Sequence, residues 1–365
     1  MSNDNDNNKD FTQNSTDRPA GDVPPEQKRP SEASGGVPEP TEFMPKKRKN
    51  WIWMLALGII VAVAATNLVF SLFWSGGAIT DAHVNDNRWP ESAISGIVTD
   101  ISTVRTYVHT HNSDDIRVSF DAPNIGRYTR PRFEVTNGIL RIYTPRLSSI
   151  NFFGIYSGGT LNIYLPANMS ALNQFELRTT TGRIIVDAPL FLAGDVRLNS
   201  TTGRIQASNF SADSINIDVT TGRVELENLD TNRLFARTTT GRIEGDRVNV
   251  SGNLELNTST GRIELSHTNA EAVSLGTTTG RINIEDLRAA RVTANTTTGR
   301  IETNRMNVGG DVSLTTTTGR VEVTGGQIDG WLTARTTTGR IDLERVDVGN
   351  RTNLSSNTGR IRTSH

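Results

Sequence analysis

"NTTTGRIETN", Asn295 to Asn304, decides the fold, because near-copies of its centre recur through the C-terminal half of the chain. Aligned on their glycine, the copies are Gly182, Gly203, Gly222, Gly241, Gly261, Gly280, Gly299, Gly319, Gly339 and Gly359. Ten copies span 177 residues in nine steps of 19–21, a period that marks stacked supersecondary units. A catalytic site has no use for its residues in multiples, so the motif reads first as a construction unit.

Parity within one period supplies the local structure. Apolar pairs stand seven and five residues before the glycine, as in Leu254 and Leu256, and two and four after it, as in Ile263 and Leu265. Alternate residues of a strand share a face, so each period holds two short strands with their apolar pairs pointing the same way. The interval between the pairs is odd, which requires a corner at Thr-Thr-Gly, where glycine supplies the freedom to bend. A weaker apolar position at Leu229, Val248, Leu287, Met306, Ile328 and Val346 predicts a third side. One such coil cannot bury its own apolar face; stacked coils bury a continuous core and pair in parallel ladders about 4.8 Å apart. The expectation is an all-β chain: a parallel β-solenoid of about ten 19–21-residue coils over residues 178–365. Threonine three before the glycine (Thr238, Thr258, Thr277, Thr296, Thr316, Thr336) has inward parity and a hydroxyl able to bond at the corner.

The rest of the chain has other textures. Residues 1–50 are polar, rich in Asn, Asp, Ser, Pro and Glu, and end in the basic cluster Lys46–Lys49; they are expected to be a disordered tail. "WIWMLALGIIVAVAATNLVFSLFW", residues 51–74, carries no charge and is long enough for a helix to cross a hydrocarbon layer of roughly 30 Å, with tryptophans at both ends. The positive-inside rule then puts the tail in the cytoplasm and everything after Trp74 outside. A cleaved signal peptide, with "AVA" at Ala62–Ala64 as its cleavage site, competes with this single-pass anchor. So does a core helix, although the run is apolar on every face. Residues 75–92 read as a linker. Residues 93–177 read as a non-repeated β cap, with Asn137-Gly138 as a hairpin turn between "FEVT" and "ILRIYTPR" and "TLNIYLP" as a strand ended by Pro166.

"GILRIYTPR", "LNIYLPANM" and "FELRTTTGRIIV", in that order, resemble the bacterial putative-adhesin domain of unknown function, the LiaG-like envelope proteins, over about Ile94 to His365. The resemblance implies a non-repeated β region running into Thr/Ser-Gly repeats of a β-solenoid. It implies adhesion only through the family's name. Arginine after every glycine is more uniform than that family's usual pattern of acidic or small residues.

Chemistry is thin elsewhere. The formal net charge of -1 shows no basic excess for nucleic acid, and the absence of cysteine removes thiol and disulfide chemistry. Glu225, Glu244, Glu264, Glu302, Glu322 and Asp342 form one outward column, one acid per coil, instead of converging as a glycosidase requires. Beside them runs a second column: Arg183, Arg204, Arg223, Arg242, Arg262, Arg281, Arg300, Arg320, Arg340 and Arg360. The two columns read as mutual charge pairing; the arginines are also a candidate ladder for a polyanion. His109 and His111 share a strand face without a third metal ligand. Neither a cofactor nor a metal is expected. The functional expectation is a non-enzymatic, single-pass envelope protein whose solenoid is a surface interaction or adhesion module, with a cell-surface glycan, an anionic envelope polymer or a protein as partner. A sensory or regulatory role in envelope stress is the alternative, and a carbohydrate-active enzyme on a β-helix a third reading.

Overall fold

The computed structural model describes residues 85–121, 131–144, 159–169 and 172–364; the expected tail and the apolar run 51–74 lie outside the described residues. Among the described residues no helix is long and apolar enough to cross a membrane. One short 3-10 turn, Glu91–Ala93, interrupts a structure otherwise made of strands and turns.

In order, the strands are β1 (Asn85–Pro90), β2 (Gly96–His111), β3 (Asp115–Asp121), β4 (Arg132–Thr136), β5 (Ile139–Tyr143) and β6 (Gly159–Pro166). They continue as β7 (Gln174–Val308), β8 (Val312–Ile328), β9 (Leu332–Glu344), β10 (Asp347–Val348), β11 (Thr352–Thr358) and β12 (Ile361–Ser364). The 135 residues of β7 form a continuously extended path that turns corners without leaving the ladder. Each coil pairs in parallel with the next in an unshifted register: Gly299 with Gly319, Arg300 with Arg320, Ile301 with Val321, then Gly319 with Gly339. Identical motif positions therefore form straight columns, and the solenoid follows from that register.

The columns sort by face as the parity demands. Leu254, Leu256, Ile263 and Leu265 are buried, and so are their counterparts in neighbouring coils. Ile263 is wholly enclosed, a burial that contributes about 2–3 kcal/mol. The third side is buried at Leu229, Val248, Leu287, Met306 and Ile328, while Val346 is only partly covered.

The N-terminal layers are less regular. The strand β2 lies directly beneath the first coil of β7, with Val104 below Gly182 and Arg105 below Arg183. Beneath β2 in turn lie β5 and β6, both parallel to it. The stack order is therefore not the chain order, since β2 is laid between strands that follow it in sequence. Antiparallel strands finish this end: β3 on β6, β1 on β3, and β4 on β5. The β4–β5 hairpin turns at Asn137 and Gly138, both with positive φ (52° and 76°), as the Asn-Gly pair predicts. Trp89 packs on Phe133 here, with ring centroids 5.8 Å apart.

Candidate functional site: the corner ladders

At the glycine corner the backbones of successive coils come into close approach. A Cβ on any corner glycine of the Thr-Gly-Arg column from Gly203 to Gly359 would stand 1.6 Å from the carbonyl oxygen of the corner glycine one coil earlier. Only hydrogen fits, and the lack of side chains leaves a trough down the column. Threonines just before the glycine (Thr221, Thr240, Thr260, Thr298, Thr318) wall one side, and Arg223, Arg242, Arg262, Arg281, Arg300 and Arg320 the other. The groove has a volume of about 1220 Å³ and runs from Gly222 to Gly339 with backbone as its floor. Around the same corner lies a second, polar groove of about 890 Å³, where outward threonines such as Thr220 and Thr239 alternate with Asp218 and Arg237.

The two charged columns meet as the sequence implies. Within a coil, Arg223 reaches Glu225 at 3.2 Å, Arg242 reaches Glu244 at 2.6 Å, Arg262 reaches Glu264 at 2.9 Å and Arg300 reaches Glu302 at 2.6 Å. Arg320 and Arg340 meet Glu322 and Asp342 at 3.3 and 4.0 Å. Longer contacts also run across coils, Arg242 to Glu264 at 3.9 Å and Arg320 to Asp342 at 3.8 Å. A carboxylate is thus bracketed by two guanidiniums. Hydrogen bonding to Glu244 and Glu302 raises the pKa of Arg242 and Arg300 still further. The arginine side chains nonetheless remain about 34–44% exposed from Arg204 to Arg340, so each keeps donors turned to solvent.

The inward threonines divide. Thr316 and Thr336 donate to the carbonyls of Gly299 and Gly319, each at 3.5 Å, and Ser356 does the same to Gly339 at 3.1 Å. The hydroxyls of Thr238, Thr258, Thr277 and Thr296 are buried with no partner within hydrogen-bonding distance.

A second corner six residues after the glycine was not anticipated. Asn209, Asn228, Arg247, His267, Asp286, Arg305 and Arg345 all adopt left-handed backbone, with φ between 47° and 61°. Side chains of this column bridge coils, except that Arg345 meets its chain neighbour Glu344 at 2.9 Å. Asn228 donates to Asn209 at 2.8 Å, and Asn209 to Asp187 at 2.6 Å. His267 lies between two carboxylates, its Nδ1 2.8 Å from Asp246 and its Nε2 3.5 Å from Asp286, and Arg305 grips Asp286 at 2.5 Å. Burial pushes the Asp246 carboxyl up, but hydrogen bonds from His267 and Ser266 outweigh it and hold it below the usual carboxylate range. The Arg305 hydrogen bond does the same for Asp286.

The two histidines read from sequence serve other contacts: His111 Nε2 meets the Asp115 carbonyl at 2.7 Å, and His109 Nε2 meets Asn162 at 3.4 Å. Among the described residues no three of His, Asp and Glu converge as a metal site would need.

An in-register parallel stack with a Thr-Gly-Arg corner, preceded by a hairpin-bearing β region, can be set against known families. The chain matches Toastrack DUF4097 over residues 94–255 and again over 236–365. It belongs to the Toastrack DUF4097 family. No curated protein matches it. Among solved structures, this Toastrack chain is similar to a "putative adhesin" from Parabacteroides merdae ATCC 43184 at 13% identity, with 77% of this chain and 96% of that one covered and a TM-score of 0.36. A second "putative adhesin", from Bacteroides fragilis NCTC 9343, matches at 16% identity over 78% and 98% of the two chains, with a TM-score of 0.26. A "putative lipid binding protein" from Parabacteroides distasonis ATCC 8503 matches at 13% identity over 77% and 96%, with a TM-score of 0.34.

Proposed function

We propose that this Toastrack protein is a non-enzymatic, single-pass envelope protein whose solenoid is a surface interaction and adhesion module, and that the arginine-walled groove takes an extended anionic polymer of the cell envelope. The observation that carries this reading is the groove's straightness. Unshifted register repeats a glycine floor, a threonine wall and a guanidinium wall once per coil, about every 4.8 Å. A ligand that repeats its own charge along a chain meets the same donors at every step, and guanidinium is the group suited to hold carboxylate or phosphate by paired hydrogen bonds. The neighbouring acids temper the field, which favours a reversible contact summed over many coils over a single tight one. Those acids stand one per coil and each is tied to arginine, an arrangement for pairing and not for acid-base catalysis.

The anchor rests on the charge-free run 51–74 behind Lys46–Lys49. The chain has no cysteine, so single introduced cysteines report topology cleanly. In intact cells a membrane-impermeant maleimide is expected to label Thr337→Cys and to leave Ser15→Cys untouched until lysis; the reverse pattern overturns the orientation. For the groove, the purified chain is expected to bind envelope fragments and to lose that binding when their anionic polymers are removed. Undiminished binding to stripped fragments rejects the polymer reading.

A further inference from the structure

The arginine column continues below the coils that carry the acids, and there its surroundings change. In the three layers at the N-terminal end the position two after each arginine holds Tyr107, Ile185 and Gln206, where an acid stands in six of the next seven coils, from Glu225 to Asp342, with Asn283 the exception. Arg105 lies in register with Arg183, and Tyr107 with Ile185. Arg105 and Arg183 are exposed and have no ion pair among the described residues; Arg204 has only a 3.6 Å approach to Glu225. A row of like charges at ladder spacing repels itself unless something supplies the missing counter-charge. Two carboxylates of these layers are engaged elsewhere, Asp187 by Asn209 at 2.6 Å and Asp86 by Arg117 at 2.7 Å.

The same face carries rings. Tyr107 and His109 stack with centroids 6.1 Å apart and planes 7° from parallel, and His109 stacks on Tyr164 at 5.0 Å. Arg117 covers Tyr164 with its guanidinium carbon 5.2 Å from the ring centre, and Asn162 lies beside Tyr107 in register. Two of the chain's five tyrosines meet here, and no tyrosine occurs from residue 178 onward. Solenoid building does not call for them, since the coils above do without.

Flat rings present apolar surface beside polar edges, as a sugar ring requires, and guanidinium fixes a carboxylate or phosphate with directional paired bonds. We propose that Arg105, Arg183 and Arg204, with Tyr107, His109 and Tyr164, form a binding site for an anionic saccharide, a sugar bearing carboxylate or phosphate. The site is distinct from the long groove, being built where the ladder has lost its own acids, and it stands whether or not the later coils bind a polymer.

The test is calorimetric titration of the full chain with a galacturonic acid tetramer, glucose 6-phosphate, neutral cellotetraose and inorganic phosphate. One of the two anionic sugars is expected to bind, and which one does identifies carboxylate or phosphate as the anion. Neutral cellotetraose and inorganic phosphate are expected to bind at least about tenfold more weakly. The double variant Arg105→Ser, Arg183→Ser and the single variant Tyr107→Ala are each expected to weaken the anionic sugar about tenfold or more, with Tyr107→Phe retaining it and thermal melts unchanged. The double variant Arg262→Ser, Arg300→Ser, high in the groove, is expected to weaken these ligands far less, because the groove's contacts are summed over more coils than such short ligands span. Absence of binding by both anionic sugars, or inorganic phosphate binding as well as they do, overturns the proposal. Equal loss in the groove variant also overturns it, by assigning the affinity to the repeating ladder instead.

Discussion

The corner at Gly261 and the corner at His267 bend the same coil six residues apart, yet they constrain the chain in opposite ways. At the first, backbone lies so close to backbone that a Cβ would stand 1.6 Å from the Gly241 oxygen, and only glycine is found in the solenoid column. At the second, the φ of 47° is unusual for a side-chain-bearing residue, but the side chain is exposed and meets the side chains of Asp246 and Asp286 on neighbouring coils. Asparagine, arginine, histidine and aspartate all occupy that column. A left-handed residue costs about 1–2 kcal/mol, which the stack can absorb, whereas a steric overlap has to be relieved by moving whole coils. Close packing constrains sequence far more tightly than an unusual dihedral does.

The stretch between the corners sets the scale of the largest effect. Ile263→Asp puts an unpaired carboxylate into mid-stack and is expected to remove well over about 4 kcal/mol, seen as loss of the cooperative denaturation transition or as rapid hydrogen exchange in the flanking coils. A stable Ile263→Asp protein would mean that this column does not face a core. Gly261→Ala follows, with an expected loss of about 3–5 kcal/mol in chemical denaturation, because the coils must part to admit the methyl group. At the other corner Arg345→Gly is expected to change stability by less than about 1 kcal/mol in either direction, since relief of the left-handed backbone offsets the added freedom of the unfolded chain. A loss as large as that of Gly261→Ala would erase the distinction between the corners.

The second corner also has a pH signature. Asp246 and Asp286 have lowered pKa values in the folded chain, so their contribution is present above the unfolded value of about 3.9 and is lost as pH falls through the lower folded values. Melting temperature is expected to fall with pH in that acid window, and less steeply in Asp286→Asn; an unchanged slope separates these aspartates from the effect. The smallest effect is expected of Arg262→Ser on the outer face, within about 0.5 kcal/mol, because an exposed pair with Glu264 adds little. A larger loss would give the ladder a structural role that its exposure does not suggest.

Much of this was legible from residues alone. The two apolar pairs, the glycine corner and the third side at Leu229, Val248 and Leu287 follow from parity, and the Asn137-Gly138 hairpin from its turn chemistry. The facing columns of arginine and acid were read as pairs, and Arg242–Glu244 at 2.6 Å shows the contact. The left-handed corner was missed because its occupants have no shared chemistry. A signal was present all the same, since the odd interval from Leu226 to Leu229, both buried, demands a bend as surely as the interval across Thr-Thr-Gly. The cluster at Tyr107, His109 and Tyr164 was missed because residues 57 apart in the chain reveal nothing of their adjacency.

By itself the sequence settled the repeating unit, since side-chain direction alternates along a strand and apolar residues must share a face wherever the coil is placed. Only the tertiary structure decided the order of the layers, with β2 between β6 and β7, and thereby which residues share the outer face at the N-terminal end. The reason is physical: a repeat specifies its neighbour through identical positions, whereas the non-repeated strands find theirs by shape and burial over long separations, which no local pattern encodes.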